Sequence, residues 1–380
     1  MSENKDKLGV GIVGCGNIST AYLTLAPLFG ALELRAVADI APAVAAAQAE
    51  KFGLRAQSVD DLIAAPDIDM VVNLTVPNAH YEVSRRVLEA GKHVYSEKPF
   101  VLTLEEGEAL RELATKKNLR VGSAPDTFLG GAHQLARATL DNDRIGRVIG
   151  GTAHVMGHGM EAWHPNPGFF FQKGGGPVLD MGPYYITNLV QLLGPVRAVT
   201  AMAAASFATR TIGVGPRKGE EVPVETPTNI HAVLEFASGA LVTLGASWDV
   251  WAHRHGNMEL YGETGSLYVP DPNFFGGEVT LALAGKTEMP LSWDHPFGRF
   301  NAEDNSGTKR ANYRGAGLAD MAAAIAAGRN HRAGLDLALH VVDVLTSILK
   351  SGETRSWVEL TTTCERPAAL APEEAAALLV

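Results

Sequence analysis

Five short apolar runs, at 8–13, 32–38, 69–74, 92–96 and 119–123, alternate with helix-like stretches near 18–29, 42–52, 79–91 and 104–118. Runs that are apolar at nearly every position have to be buried on both faces. The alternation therefore predicts βαβ units and a doubly wound parallel sheet covered by helices, an α/β fold. After about Asp126 the texture changes: glycine and aromatic residues become frequent. The runs at 229–236 (NIHAVLEF) and 240–248 (ALVTLGASW) alternate apolar with polar positions, as a sheet with one covered face does. Two helices are expected at 317–328 and 333–351, and a short helix or frayed tail at 368–380. A chain of 380 residues exceeds one ordinary core, so two domains are expected, 1–125 and 126–380.

Composition excludes several function classes. A net charge of −10 with no Lys/Arg run argues against a nucleic-acid surface, which needs clustered positive charge. The apolar run from Leu8 is broken by Gly11, Gly14 and Gly16, which fits neither a signal peptide nor a membrane span. A soluble, cytoplasmic protein is expected. Two distant cysteines, Cys15 and Cys364, leave a single disulfide open but make no secreted scaffold. The 12 histidines form no Cys/His cluster, so no metal is expected.

The first predicted strand runs into Gly14-Cys15-Gly16-Asn17-Ile18-Ser19, a G-x-G-x-x-S turn. Glycine is needed at the first position for a tight turn and at the second for close backbone approach to a pyrophosphate. The third position needs only a small residue for helix–strand packing, and serine meets that demand. The following helix, with Asn17 and Ile18 at its start, aims its first N–H groups at the phosphates. Asp39 ends the next strand, 25 residues after Gly14. A carboxylate there binds ribose hydroxyls and repels a 2′-phosphate, which predicts NAD over NADP.

Three further segments follow: Thr75-Val76-Pro77-Asn78-Ala79-His80, Glu97-Lys98-Pro99, and Gly174-Gly175-Gly176-Pro177-Val178-Leu179-Asp180-Met181-Gly182-Pro183-Tyr184. With the glycine turn they resemble the glucose–fructose oxidoreductase / inositol dehydrogenase / MocA (Gfo/Idh/MocA) family over nearly the whole chain. The resemblance implies a Rossmann domain for 1–125. For 126–380 it implies an α/β domain on a large open, mixed, mostly antiparallel sheet that carries the substrate site and joins homodimers or homotetramers. The C-terminal helices are expected to pack back toward the Rossmann domain. Thr75, Pro77, Asn78, His80 and Glu97 are expected at the cofactor, Asn78 also being a good N-cap, and Asp126 at the substrate. The implied activity is hydride transfer between nicotinamide and a secondary alcohol or ketone of a sugar, cyclitol or glycoside.

That chemistry needs a proton acceptor at the reacting oxygen and a positive group to stabilise developing alkoxide. Lys98 lies at the carboxyl end of a parallel strand, where open α/β sheets bind ligands. Pro99 restricts its backbone, and Glu97 is placed to orient it. In the family the later segment reads Asp-x-Gly-x-His-x-x-Asp, with the histidine as acid/base. Here Tyr184 stands in place of the histidine and Thr187 in place of the last aspartate. If Asp180 opens a helix, Pro183 falls in its first turn and Asp180 and Tyr184 share a face. A phenol near Lys98 can relay a proton, because a cation lowers its pKa. Asp180 then orients substrate or lysine, or else only caps the helix while Tyr184 packs. His164, in the aromatic stretch 163–171, is a candidate for binding sugar hydroxyls. Two other functions stay open on this sequence. One is an NAD-retaining glycosidase or lyase working by transient oxidation and elimination; the other is a non-catalytic dinucleotide-binding sensor.

Overall fold

The computed structural model describes residues 7–303 and 307–380. The chain divides into two compact units. The first holds the chain up to Gly131 together with Asp294–Val342 and Pro367–Val380; the second holds Ala132–Trp293 and Asp343–Arg366. The units are thus interleaved in sequence, where a contiguous division at 125/126 was expected.

The first unit is built on β1 (Leu8–Val13), β2 (Leu32–Ala38), β3 (Arg55–Gln57), β4 (Met70–Asn73), β5 (His93–Ser96) and β6 (Val121–Ser123). They form one sheet in the order β3-β2-β1-β4-β5-β6, with every pair parallel. The helices that connect these strands are α1 (Asn17–Leu25), α2 (Pro42–Phe52), α3 (Val59–Ala64), α4 (His80–Glu89) and α5 (Leu104–Lys117). Local chemistry marks their ends. Thr103 and Glu106 form a reciprocal capping box at the start of α5, which closes on Lys116, Lys117 and a left-handed Asn118. Pro42 opens α2 and Gly53, at φ 68°, ends it.

The edge strand β3 and helix α3 were not anticipated. Arg55–Gln57 is three residues long and mostly exposed, so it leaves no apolar run to read. The core beneath the central strands includes Val13, Val71, Val94, Leu110 and Phe100. Leu339 and Val342, from the helix Leu335–Thr354, join the same cluster. A Cβ at Gly107 would lie 2.2 Å from the Leu339 Cδ2, so glycine lets α5 and that helix approach closely. The expected tail at 368–380 is a helix, Pro372–Leu378, followed by an antiparallel bridge from Leu379 to Phe29.

The second unit carries a nine-stranded sheet. Its order is Met289–Leu291, Val279–Leu283, Gly265–Val269, Met258–Gly262, Val148–Met156, Leu241–Ser247, Asn229–Phe236, Val196–Ala204 and Val358–Glu359. Only Leu241–Ser247 and Val148–Met156 pair in parallel; the other neighbours are antiparallel. Alternate positions on the central strands are buried, as at Ile230, Ala232 and Leu234, while Met202, Val233 and Leu241 are exposed. No helix among the described residues is long and apolar enough to cross a membrane.

Candidate active site

Because the first sheet is wholly parallel, β1, β2, β4 and β5 all end on one edge, and the loops that leave them lie side by side. This is where ligands bind in open α/β sheets. The glycine turn follows β1. Gly14 has φ +99°, and a Cβ there would fall 2.5 Å from the Leu74 carbonyl oxygen, so the fold itself demands glycine. Gly16 differs: its φ of −71° is ordinary, and a Cβ would meet nothing within 4 Å among the described residues. Nothing internal requires glycine at 16. The space it leaves open is what a closely approaching pyrophosphate needs, so the turn fits the dinucleotide. Ser19, the third motif position, is buried, and its hydroxyl donates to the Gly16 carbonyl at 2.6 Å. Asn17 is exposed and Ile18 half-buried at the start of α1.

Asp39 follows β2, its carboxylate fixed by two backbone donors. Cys15 N–H reaches Oδ2 at 2.8 Å and Ala41 N–H reaches Oδ1 at 2.9 Å. Burial, then the Asp39 charge, pushes the Cys15 thiol up to about 11, which leaves it inert. An open groove of about 1020 Å³ runs past Asp39 and Ile40, lined further by Arg55, Asp60, Asp61 and Asp67. Arg55 is ion-paired with Asp67, so the groove offers carboxylates and no spare cation from this set.

The loop after β4 is organised by Asn73, a buried residue the sequence did not single out. Its Oδ1 accepts from the Thr75 hydroxyl at 2.7 Å. Its Nδ2 donates to the His80 carbonyl and the Ser84 hydroxyl, both at 3.0 Å. Pro77 and Asn78 are exposed within a single 3-10 turn, and α4 starts at His80 without a side-chain cap. Asn78 is therefore not the N-cap its residue type suggested. The His80 ring does not face the loop surface. It is 1% exposed, with Nδ1 2.7 Å from the Pro99 carbonyl and Nε2 3.0 Å from the Thr75 carbonyl. Burial outweighs these contacts and lowers its pKa. With both ring nitrogens engaged by backbone, the expected cofactor contact at His80 gives way to an internal role.

Lys98 follows β5, half-buried, and the Lys98–Pro99 bond is cis. Beside it Glu97 is held at both oxygens: Oε1 accepts from the Tyr22 hydroxyl at 3.0 Å, and Oε2 from the Lys98 backbone N–H at 2.9 Å. Tyr22 escaped the sequence reading because one tyrosine in an amphipathic helix carries no motif. Asp126 is also corrected. It was expected to face substrate, but it is 2% exposed, and its Oδ2 accepts from the N–H groups of Gly315 and Gly317 at 2.8 and 3.0 Å. The carboxylate anchors the start of the helix Ala316–Ala327.

In the second unit, Asp180 closes a short turn, Pro177–Asp180, rather than opening a helix; the next helix is Gly182–Leu193, with Pro183 in its first turn. Asp180 and Tyr184 are both half-buried, and Thr187 is buried. His164 is half-buried among aromatic rings, 5.6 Å from Trp163 and 5.5 Å from both Phe169 and Phe170. Its Nδ1 accepts from the Asn166 N–H at 3.1 Å, so in the neutral ring Nε2 carries the proton. Arg210 is buried in the strand Thr209–Thr211. It pairs with Glu161 at 2.9 Å and with Asp249, and is not free to clamp a phosphate.

Two family models match the chain. Residues 8–124 match the oxidoreductase family with an NAD-binding Rossmann fold, and residues 133–268 match the GFO/IDH/MocA C-terminal domain. Levoglucosan dehydrogenase of Pseudarthrobacter phenanthrenivorans is 29% identical over 290 residues, 68% of this chain and 73% of that one. Inositol 2-dehydrogenase of Rhizobium meliloti is 27% identical over 332 residues, covering 84% and 96%. An uncharacterized oxidoreductase of Schizosaccharomyces pombe is 30% identical over 195 residues, and there the match spans 47% of this chain and only 52% of the relative. Among solved structures, levoglucosan dehydrogenase in complex with NADH and L-sorbose superposes with a TM-score of 0.79 at 24% identity, covering 94% of this chain and 99% of that one.

Proposed function

Because the chain belongs to the Gfo/Idh/MocA oxidoreductase family, we propose that it is an NAD-dependent dehydrogenase or ketoreductase. Its substrate would be a secondary alcohol or ketone of a sugar, cyclitol or glycoside. The observation that carries the reading is the edge of the first sheet, where the glycine turn, Asp39, the Thr75 loop and Lys98 follow strands β1, β2, β4 and β5. The names of the relatives, levoglucosan dehydrogenase and inositol 2-dehydrogenase, support the substrate class.

Bound NAD supplies two-electron exchange with a carbinol carbon. Gly14, Gly16, Asn17 and Ile18 hold its pyrophosphate, Asp39 its ribose hydroxyls, and Thr75, Pro77 and Asn78 the rest of its path. Asp39 and the acidic groove beyond it favour NAD over NADP, because a 2′-phosphate would meet carboxylates there. The Lys98 ammonium holds the substrate oxygen and stabilises negative charge on it. The Tyr184 phenolate accepts the hydroxyl proton in oxidation, and the phenol so formed returns it in reduction, with Asp180 orienting the substrate. His164 donates from Nε2 to a sugar hydroxyl. The exposed Met202, Val233 and Leu241 support pairing of copies through the open sheet face, as a homodimer or homotetramer. Both cysteines are buried thiols, which supports a reducing, cytoplasmic setting.

The test is a screen of anhydrosugars, inositols and glycosides with NAD and NADP, following NADH absorbance. Lys98→Met is expected to lower turnover by about 10²–10⁴-fold, and Tyr184→Phe by a similar factor. Full turnover in Tyr184→Phe at saturating substrate removes the tyrosine from the mechanism. Product formed without net NADH release turns the reading toward a glycosidase or lyase.

A further inference from the structure

We propose that Tyr22 and His80 are positioning residues that brace the Glu97-Lys98-Pro99 segment at its two ends, Tyr22 through the Glu97 carboxylate and His80 through the Pro99 carbonyl. The proposal rests on the reading of Lys98 given above. It adds two residues that touch neither cofactor nor substrate.

Tyr22 lies in α1, the helix that starts at the glycine turn, and is 1% exposed. Packing alone would be satisfied by a phenylalanine of the same outline, without the cost of burying a hydroxyl. The hydroxyl has a specific partner, Glu97 Oε1 at 3.0 Å. Burial, then the charge of Glu97, holds the Tyr22 phenol far above its usual range, so it stays protonated and donates. The other carboxylate oxygen takes the Lys98 N–H, and the Glu97 N–H donates to the Asn73 carbonyl at 2.9 Å. A carboxylate held at both oxygens and at its own backbone cannot swing, and it fixes the peptide from which the lysine side chain departs.

His80 does the same from the other side. A ring N–H donates to one of its two carbonyl neighbours, and the imidazole lies between both. Either way a rigid plane separates the Pro99 carbonyl from the Thr75 carbonyl. Thr75 belongs to the loop after β4, and α1 belongs to the glycine turn. The brace therefore ties the position of Lys98 to both backbone segments assigned to the cofactor.

Lysine labelling reads the brace without needing a substrate. The purified chain is acetylated with trace acetic anhydride across a pH series, and the Lys98 peptide is quantified by mass spectrometry. Lys92 is the internal reference: it is buried, and its ammonium donates to the Ala65 and Ile68 carbonyls at 2.7 and 2.6 Å. In Tyr22→Phe the Lys98 rate is expected to rise about tenfold, the worth of one charge-assisted hydrogen bond, with Lys92 unchanged. On a Glu97→Gln background the same substitution is expected to add nothing. His80→Leu is expected to raise the Lys98 rate, and His80→Gln, which restores an N–H donor, to recover part of the protection. Equal Lys98 rates in wild type and Tyr22→Phe overturn the proposal. So do Lys98 and Lys92 rates rising together, which mark general loosening. Turnover that survives Lys98→Met overturns the charge-stabilising role of Lys98 instead, and leaves the labelling result standing.

Discussion

Asp126→Asn tests the correction that moved Asp126 from substrate to scaffold. Burial drives its carboxyl from 3.8 up to about 6, against the pull of the Gly317 and Gly315 N–H groups and Arg314, with Glu97 adding to the rise. An unfolded chain ionises this group near 3.8 while the folded chain keeps it protonated to about 6. The folded state therefore binds the proton more tightly. The stabilisation is complete below 3.8 and is lost as pH rises through about 6. At about 1.4 kcal/mol per tenfold in proton concentration, the interval amounts to about 3 kcal/mol. An asparagine offers the same oxygen to Gly315 and Gly317 and carries no charge. Relative to wild type, Asp126→Asn is thus expected to gain about 3 kcal/mol between about pH 4 and about pH 7. Hydrogen exchange of the 316–327 amides, corrected for intrinsic rate, measures this where it arises. The wild-type-minus-variant difference cancels groups the substitution leaves alone. A difference that does not change with pH, or a variant that loses ground as pH rises, refutes the reasoning and makes the buried charge a net stabiliser.

Two further outcomes follow from particular contacts. Asp39→Ala removes the acceptor assigned to the ribose, and NAD affinity is expected to fall by about tenfold or more. NADP affinity should fall less, and an unchanged NAD/NADP ratio in fluorescence titrations would take Asp39 out of cofactor choice. Arg210→Met leaves Glu161 and Asp249 buried without their shared cation and is expected to cost about 3–5 kcal/mol. Denaturant unfolding followed by tryptophan fluorescence reads it, because the Trp248 carbonyl accepts from the same guanidinium at 3.1 Å. A loss under about 1 kcal/mol would mean the site admits water.

Much of the first unit was legible because its signals are local. Gly14 is required by its own positive φ, Gly16 is read from its spacing to Gly14, and Asp39 from its place at a strand end. The runs at 8–13 and 32–38 coincide with β1 and β2. Asp180 was misplaced by a helical turn because Gly176 and Gly182 bracket a separate short segment there. Arg210 carried no signal in the sequence: it is a strand residue whose charge is buried against Glu161, 49 residues away in sequence.

By itself, then, the sequence determined the parallel βαβ sheet, the glycine turn, the acidic strand end and the family to which these belong, because periodicity and turn chemistry act over short stretches. The tertiary structure decided what polar side chains do once buried. Tyr22 meets Glu97 across 75 residues, and Asp126 meets Gly315 across 189. His80 turns inward to two carbonyls, and the chain returns at Asp294 to complete the first unit. A polar group's role inside a protein is set by the partner that offsets its lost hydration, and that partner is chosen by folding rather than by neighbours in the chain.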